Sequence, residues 1–156
     1  MEGIQQILND WSERTKQELI STYRKKGLKA SGAFENGLTT DTTENRTQIW
    51  TVPHTWFVVN GRGKNSSQDK EAVRKWVGWA GSTFLKKWVD DKGLDISPFA
   101  VAYKIARQGI RVPNENNDGR LISEVITAQS ISGLLEKMGA YIITDIKTDI
   151  QKTWQQ

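Results

Sequence analysis

The chain has 156 residues, with 22 Lys+Arg against 18 Asp+Glu, one His, seven Trp and no Cys, for a formal charge of +4. That length fits one domain able to close its own core, while the lack of Cys excludes disulfides and thiolate metal sites, and a lone His leaves any metal to carboxylates. No apolar run nears the ~20 residues that span a bilayer, and the opening Met-Glu-Gly-Ile-Gln-Gln lacks a secretion-signal layout, so the expectation is a cytosolic or particle-assembled protein without a membrane partner.

Ile4, Ile7 or Leu8, Trp11, Thr15, Leu19 and Tyr23 recur every three or four residues, which predicts an amphipathic helix from about residue 2 to 26. Arg24, Lys25 and Lys26 suit its C-terminal dipole, and Gly27 offers the stop. Residues 28–48 are small and polar and give no sign of a core. The β-branched threonines around the Glu44-Asn45 turn predict a hairpin over about 38–52, with strands Leu38–Thr43 and Arg46–Val52. A polar hairpin of this kind is expected to project toward solvent or a partner.

His54 to Gly63 reads as a short apolar helix closed by a glycine turn, followed by a polar loop over Lys64–Gln68. A helix is predicted from about Asp69 to Val89, with Val73, Trp76, Val77, Ala80, Phe84 and Trp88 on one face and Gly78 and Gly81 as candidate breaks. Asp90-Asp91-Lys92-Gly93 reads as a turn. Ser97-Pro98 is a capping Ser before a first-turn Pro and starts a helix ending near Gly109. A polar loop is expected over 113–120. Residues 121–129 are ambiguous between helix and strand. Ile131, Leu134, Leu135, Met138, Ile142, Ile146, Ile150 and Trp154 then form the stripe of a second long helix. The fold class is α+β: long N- and C-terminal amphipathic helices and shorter helices packed on a small antiparallel sheet with a protruding β-hairpin, within one domain over 1–156.

Catalytic signatures are scarce. His54 has no Ser, Cys or Asp placed to make a triad, and beside Trp56 and Phe57 it reads as a packed or capping residue. A small hydrolase would have only His54 with Asp90 or Asp95 to work with. Gly61-Arg62-Gly63 lacks the Lys-Ser/Thr of a P-loop, and Asp90, Asp91 and Asp95 lack the spacing and closing Glu of a calcium loop. No catalytic residue, metal or cofactor is expected.

The charge distribution says more. Residues 62–111 hold 11 Lys+Arg and 5 Asp+Glu, a net +6, leaving −2 for the rest. Arg62, Lys64, Arg74, Lys75 and Arg107 are the candidates for a basic surface facing DNA or a partner. Phosphates take such charge, and an exposed indole can stack on bases. Trp11, Trp76, Trp88 and Trp154 fall on apolar stripes and are expected to pack, whereas Trp79 lies off its stripe. No motif for sequence-specific readout is present. A stand-alone basic nucleic-acid-binding protein is therefore the alternative reading.

Three segments carry a resemblance: Trp56-Phe57-Val58-Val59-Asn60-Gly61-Arg62-Gly63, Phe84 to Leu94, and Pro98 to Ile110. Together they resemble the central part of the neck, or tail-completion, proteins that join head to tail in tailed bacteriophages. Val59-Asn60-Gly61-Arg62 departs from that family's usual turn, and Gly78-Trp79-Ala80-Gly81 looks like an insertion. The resemblance implies a structural virion protein, made in the host cytoplasm and placed in the neck. It implies a homo-oligomeric ring that meets portal or adaptor and tail proteins, with double-stranded DNA passing through. On that reading Thr39, Thr43, Arg46 and Gln48 of the hairpin are the subunit-contact candidates.

Overall fold

A computed structural model describes residues 2–29, 31–64 and 70–154. The fold is α+β, with seven helices and one two-stranded antiparallel sheet among the described residues. Contacts cluster into two compact units where the length suggested one domain. One comprises Met1–Thr22, Gly37–Thr51 and Leu121–Gln156, and the other Tyr23–Asn36 and Val52–Arg120.

The first unit holds most of helix α1 (Glu2–Lys25), strands β1 (Thr39–Thr42) and β2 (Thr47–Trp50), and helix α7 (Ala128–Trp154). The α1 stripe buries Leu8, Ser12, Thr15 and Leu19. Ser12, rather than its neighbour Trp11, occupies the fully buried position. Its hydroxyl donates to the Asn9 carbonyl at 2.9 Å and lies 3.4 Å from the Thr42 hydroxyl, so a small side chain lets the hairpin lie close against the helix. Leu38, Leu121 and Val125 are also buried.

The hairpin pairs Thr39 with Trp50, Thr40 with Ile49, Asp41 with Gln48 and Thr42 with Thr47. Side chains alternate between faces. Thr40 and Thr42 face α1, where Thr40 donates to Glu13 and Gln5 donates to the Thr42 carbonyl.

Helix α7 starts at Ala128, three residues before the apolar stripe begins. Thr127 caps it: the Ser130 amide donates to Thr127 Oγ1, and the Thr127 amide donates to Ser130 Oγ, both at 3.1 Å. This reciprocal arrangement satisfies two amides that the first turn leaves unpaired. It also resolves the ambiguous stretch, whose residues 121–126 form turns before the helix.

The second unit starts with the end of α1. The Gly27 amide donates to the Arg24 carbonyl and the Leu28 amide to the Tyr23 carbonyl, with Gly27 at φ 67°, the pattern that closes a helix on a left-handed glycine. The following stretch, which looked devoid of core, contains a short helix α2 (Ala33–Gly37). Its Phe34 is 2% exposed and stacks on Tyr23 with ring centroids 4.2 Å apart. One apolar side chain among small residues has no periodicity to betray it. Part of the polar loop expected at 64–68 lies outside the described residues, as do Ala30 and Asp69.

Helix α3 (Thr55–Asn60) leads to Gly61. Helices α4 (Lys70–Ser82), α5 (Phe84–Lys92) and α6 (Pro98–Gln108) pack on one another. Ala80, Leu85 and Ala102 form their centre, with Trp76, Val77, Val101 and Ile105 against it. The helix expected over 69–89 breaks at Thr83, not at Gly78 or Gly81. Thr83 has φ −113° and ψ −108°, and its hydroxyl donates to the Trp79 carbonyl at 2.7 Å. Gly81 lies inside α4, where a side chain would meet the Phe99 ring, so the glycine serves a close approach and not a break.

Asp90 to Lys92 correct the expected turn: they belong to the last turn of α5. Lys86 Nζ lies 3.0 Å from Asp90 and Lys87 Nζ 3.0 Å from Asp91, the i,i+4 spacing that supports a helix. Gly93, at φ 61° and ψ 34°, ends it. Ser97 caps α6 as expected, its hydroxyl accepting from the Ala100 amide.

Candidate functional site

Two of the three segments that carry the resemblance, 56–63 and 98–110, meet in a backbone clasp within the second unit. The Arg62 amide donates to the Ile110 carbonyl at 2.8 Å, and the Ile110 amide donates to the Arg62 carbonyl at 2.7 Å. A glycine precedes each partner. Gly61 has φ 75° and ψ −168°, and Gly109 has φ 73° and ψ −169°, a region of backbone space open essentially to glycine alone. A Cβ at Gly61 would strike the Ile110 carbonyl, and one at Gly109 the Arg62 carbonyl. Gly61 and Gly109 are therefore required by close approach of two backbones.

The 113–120 loop is tied to the same region. Asn117 Nδ2 donates to the Val58 carbonyl at 2.6 Å. Lys26 Nζ lies 3.0 and 2.8 Å from the two Asp118 carboxylate oxygens, and the Arg120 amide and guanidinium donate to that carboxylate as well. The Lys26 hydrogen bond and then the Arg120 amide hold the Asp118 carboxyl well below the usual carboxylate range. The Arg24 hydrogen bond lowers the Glu35 pKa, with Lys29 also nearby.

The five basic candidates do not share one state. Arg62 is half-buried, with its guanidinium carbon 4.0 Å from the Trp76 ring centroid. It holds the clasp against α4, and this corrects its place among the surface cations. Trp76 is the packed residue expected, though its partner is a cation. Lys64, Arg74, Lys75 and Arg107 are exposed. Lys75 pairs with Glu71 at 2.9 Å, and Arg107 donates to the Tyr103 hydroxyl at 2.9 Å. Trp79 is 58% exposed on α4, beside Phe84. Trp88 is more open than its stripe suggested.

On the hairpin, Thr39 and Gln48 share the face turned away from α1 with Asp41 and Trp50. Thr43 and Arg46 form the tip, where the Thr43 amide donates to the Arg46 carbonyl at 2.8 Å. Trp50, 57% exposed at the base of that face, is a large apolar side chain that the reading centred on the threonines did not single out. The period-two alternation of Gln48 and Trp50 was the signal for it.

His54 begins α3 without a side-chain capping bond, and partial burial lowers its pKa. Asp90 is engaged with Lys86. No group of three or more His, Asp or Glu able to hold a metal occurs among the described residues. A groove of ≈ 60 Å³ lined by Ile7, Trp11, Arg14 and Leu134 is well below the ~300 Å³ at which small-molecule sites begin.

The largest feature outside the clasp is on α7, and sequence reasoning placed it inside. No residue of this 27-residue helix is buried. Leu134 lines the groove with Ile7 and Trp11, and Tyr141 lies against Gly3, so α7 runs antiparallel to α1. Beyond Tyr141 the expected stripe is bare: Ile142, Ile146 and Ile150 are exposed, as is Ile143 beside them, and Trp154 is 86% exposed. Trp154 is thus not the packing residue its position suggested.

Clasp, hairpin face and helix stripe are the distinctive surfaces of this α+β chain. No protein-family model, no curated protein and no solved structure gives a significant match to it, and among the described residues no helix is long and apolar enough to cross a membrane.

Proposed function

We propose that this chain is a structural virion protein, a head-to-tail connector subunit of the neck or tail-completion type that assembles into an oligomeric ring around passing DNA. The clasp carries the reading. The residues that resemble this protein class, 56–63 and 98–110, are joined by the Arg62–Ile110 bridge over Gly61 and Gly109. The shared pattern thereby acquires a physical reason.

Copies of the chain, adjoining portal or adaptor proteins and tail proteins are the proposed partners. The neck of the virion is the proposed location, after synthesis in the host cytoplasm. Thr39 and Gln48 on the outer hairpin face and Thr43 and Arg46 at its tip offer side chains to a neighbour. In a closed ring such contacts are heterologous, one patch meeting a different patch on the next copy. Lys64, Arg74, Lys75 and Arg107 supply exposed cations that lower the barrier to DNA without reading its sequence. No catalytic step is assigned.

Electron microscopy of the purified protein, alone and with its portal complex, tests this. Rings of fixed copy number are expected, and a chain that forms none in either condition defeats the reading. Exposed Trp79, on the same helix as Arg74 and Lys75, favours the second reading, a stand-alone nucleic-acid-binding protein. It requires a monomer that binds duplex DNA with affinity falling steeply with salt, and loss of that binding in a Lys75→Ala/Arg107→Ala protein.

A further inference from the structure

We infer that residues 142–154 of α7 are the self-association element of this protein, packing against the same segment of further copies of the chain. The inference rests on the connector reading in one respect, that the chain assembles with itself, and it names the surface.

The distal half of α7 projects beyond Gly3, near the start of α1, by 13 residues, or about 20 Å of helix. At 100° per residue, Ile142, Ile143, Ile146, Ile150 and Trp154 cover an arc of about 120°. A two-stranded seam needs a narrower strip; an arc this wide faces a core built from more than one neighbouring helix. With Ile131 and Leu135, the bare apolar surface of α7 is on the order of 700 Å², close to the ~800 Å² that each partner gives to a standard stable interface. Monomeric proteins rarely leave so much contiguous apolar surface in water.

Charge selects the occupant. Helix α7 carries Glu136, Asp145 and Asp149 against Lys137, Lys147 and Lys152. This balance gives no attraction to DNA or to anionic lipid, which draws helices rich in Lys and Arg. It also imposes no repulsion between copies. Asp149 and Lys152 lie 3.7 Å apart on one copy, at 71% side-chain exposure each, available to exchange partners across an interface.

The test is sedimentation equilibrium of the full chain and of an Ile146→Glu/Ile150→Glu protein, with Thr144→Glu, on the opposite side of the helix, as control. The wild type and the control are expected to associate, and the double variant to associate at least ~100-fold more weakly, with an unchanged circular dichroism spectrum. A wild type that stays monomeric to about 100 μM overturns the inference. So does a double variant that associates like the wild type, or one that loses binding to anionic vesicles instead. Rings that survive the double substitution overturn it while leaving the connector reading intact. Association that depends on Ile146 and Ile150 but yields no closed ring, alone or with the portal complex, supports it and removes the connector reading.

Discussion

Replacing Gly109 with Ala is the sharpest probe of the clasp. The residue sits at φ 73° and ψ −169°, where a side chain costs about 1–3 kcal/mol in backbone strain. The new Cβ would also lie well inside van der Waals distance of the Arg62 carbonyl. Relief requires moving residue 62 away, which gives up the two Arg62–Ile110 hydrogen bonds at roughly 1 kcal/mol each. The sum is about 3–5 kcal/mol, roughly 6–20 °C in melting temperature for a chain of this size. Gly93→Ala is the matched control. Gly93 also has positive φ, at 61°, but nothing lies within 4 Å of a Cβ there, so the expected loss is only about 1–2 kcal/mol. Urea unfolding followed by far-UV circular dichroism measures both. A Gly109→Ala loss no larger than that of Gly93→Ala refutes the close-approach argument.

Phe34→Ala removes a buried ring stacked on Tyr23 and is expected to cost about 3–5 kcal/mol in the same urea assay. Gly78→Ala lies inside α4 with open space around a Cβ, and a gain of about 0.5–1 kcal/mol is expected; a loss would mean that α4 needs a close neighbour at that point. For Asp118, folding lowers the pKa below its ordinary 3.8. The stabilisation is therefore present above about pH 4 and fades as pH falls below it. The stability difference between wild type and Asp118→Asn should accordingly shrink between pH 6 and 3, and a difference that stays constant over this range contradicts the Lys26–Asp118 tie.

Local chemistry made much of the fold legible. Ser97 before Pro98 marks the start of α6 because cap and fixed φ act within one turn. Gly27 and Gly93 end helices because only glycine takes the required φ cheaply. The threonine strands and the Glu44-Asn45 turn place the two hairpin strands to within two residues at each end. What escaped depends on distant chain. Phe34 is one apolar residue in a polar stretch, and its value comes from Tyr23, eleven positions earlier. Gly81 read as a helix break because the sequence does not reveal Phe99 lying over it. Arg62 read as a surface cation because nothing local announces Trp76 beneath it.

Helices α1 and α7 separate the two halves of an amphipathic signal. Both carry apolar residues every three or four positions, and both are helices in the structure. The α1 stripe buries Leu8, Thr15 and Leu19, whereas α7 buries nothing along 27 residues. Periodicity reports that a helix has an apolar face, because one face must leave water for the helix to be stable. It is silent on whether the covering partner belongs to the same chain. On α1 the cover is hairpin and core. Beyond Tyr141 none of the described residues supplies one, so the stripe that looked like internal packing is left open as the surface that the proposed self-association would cover.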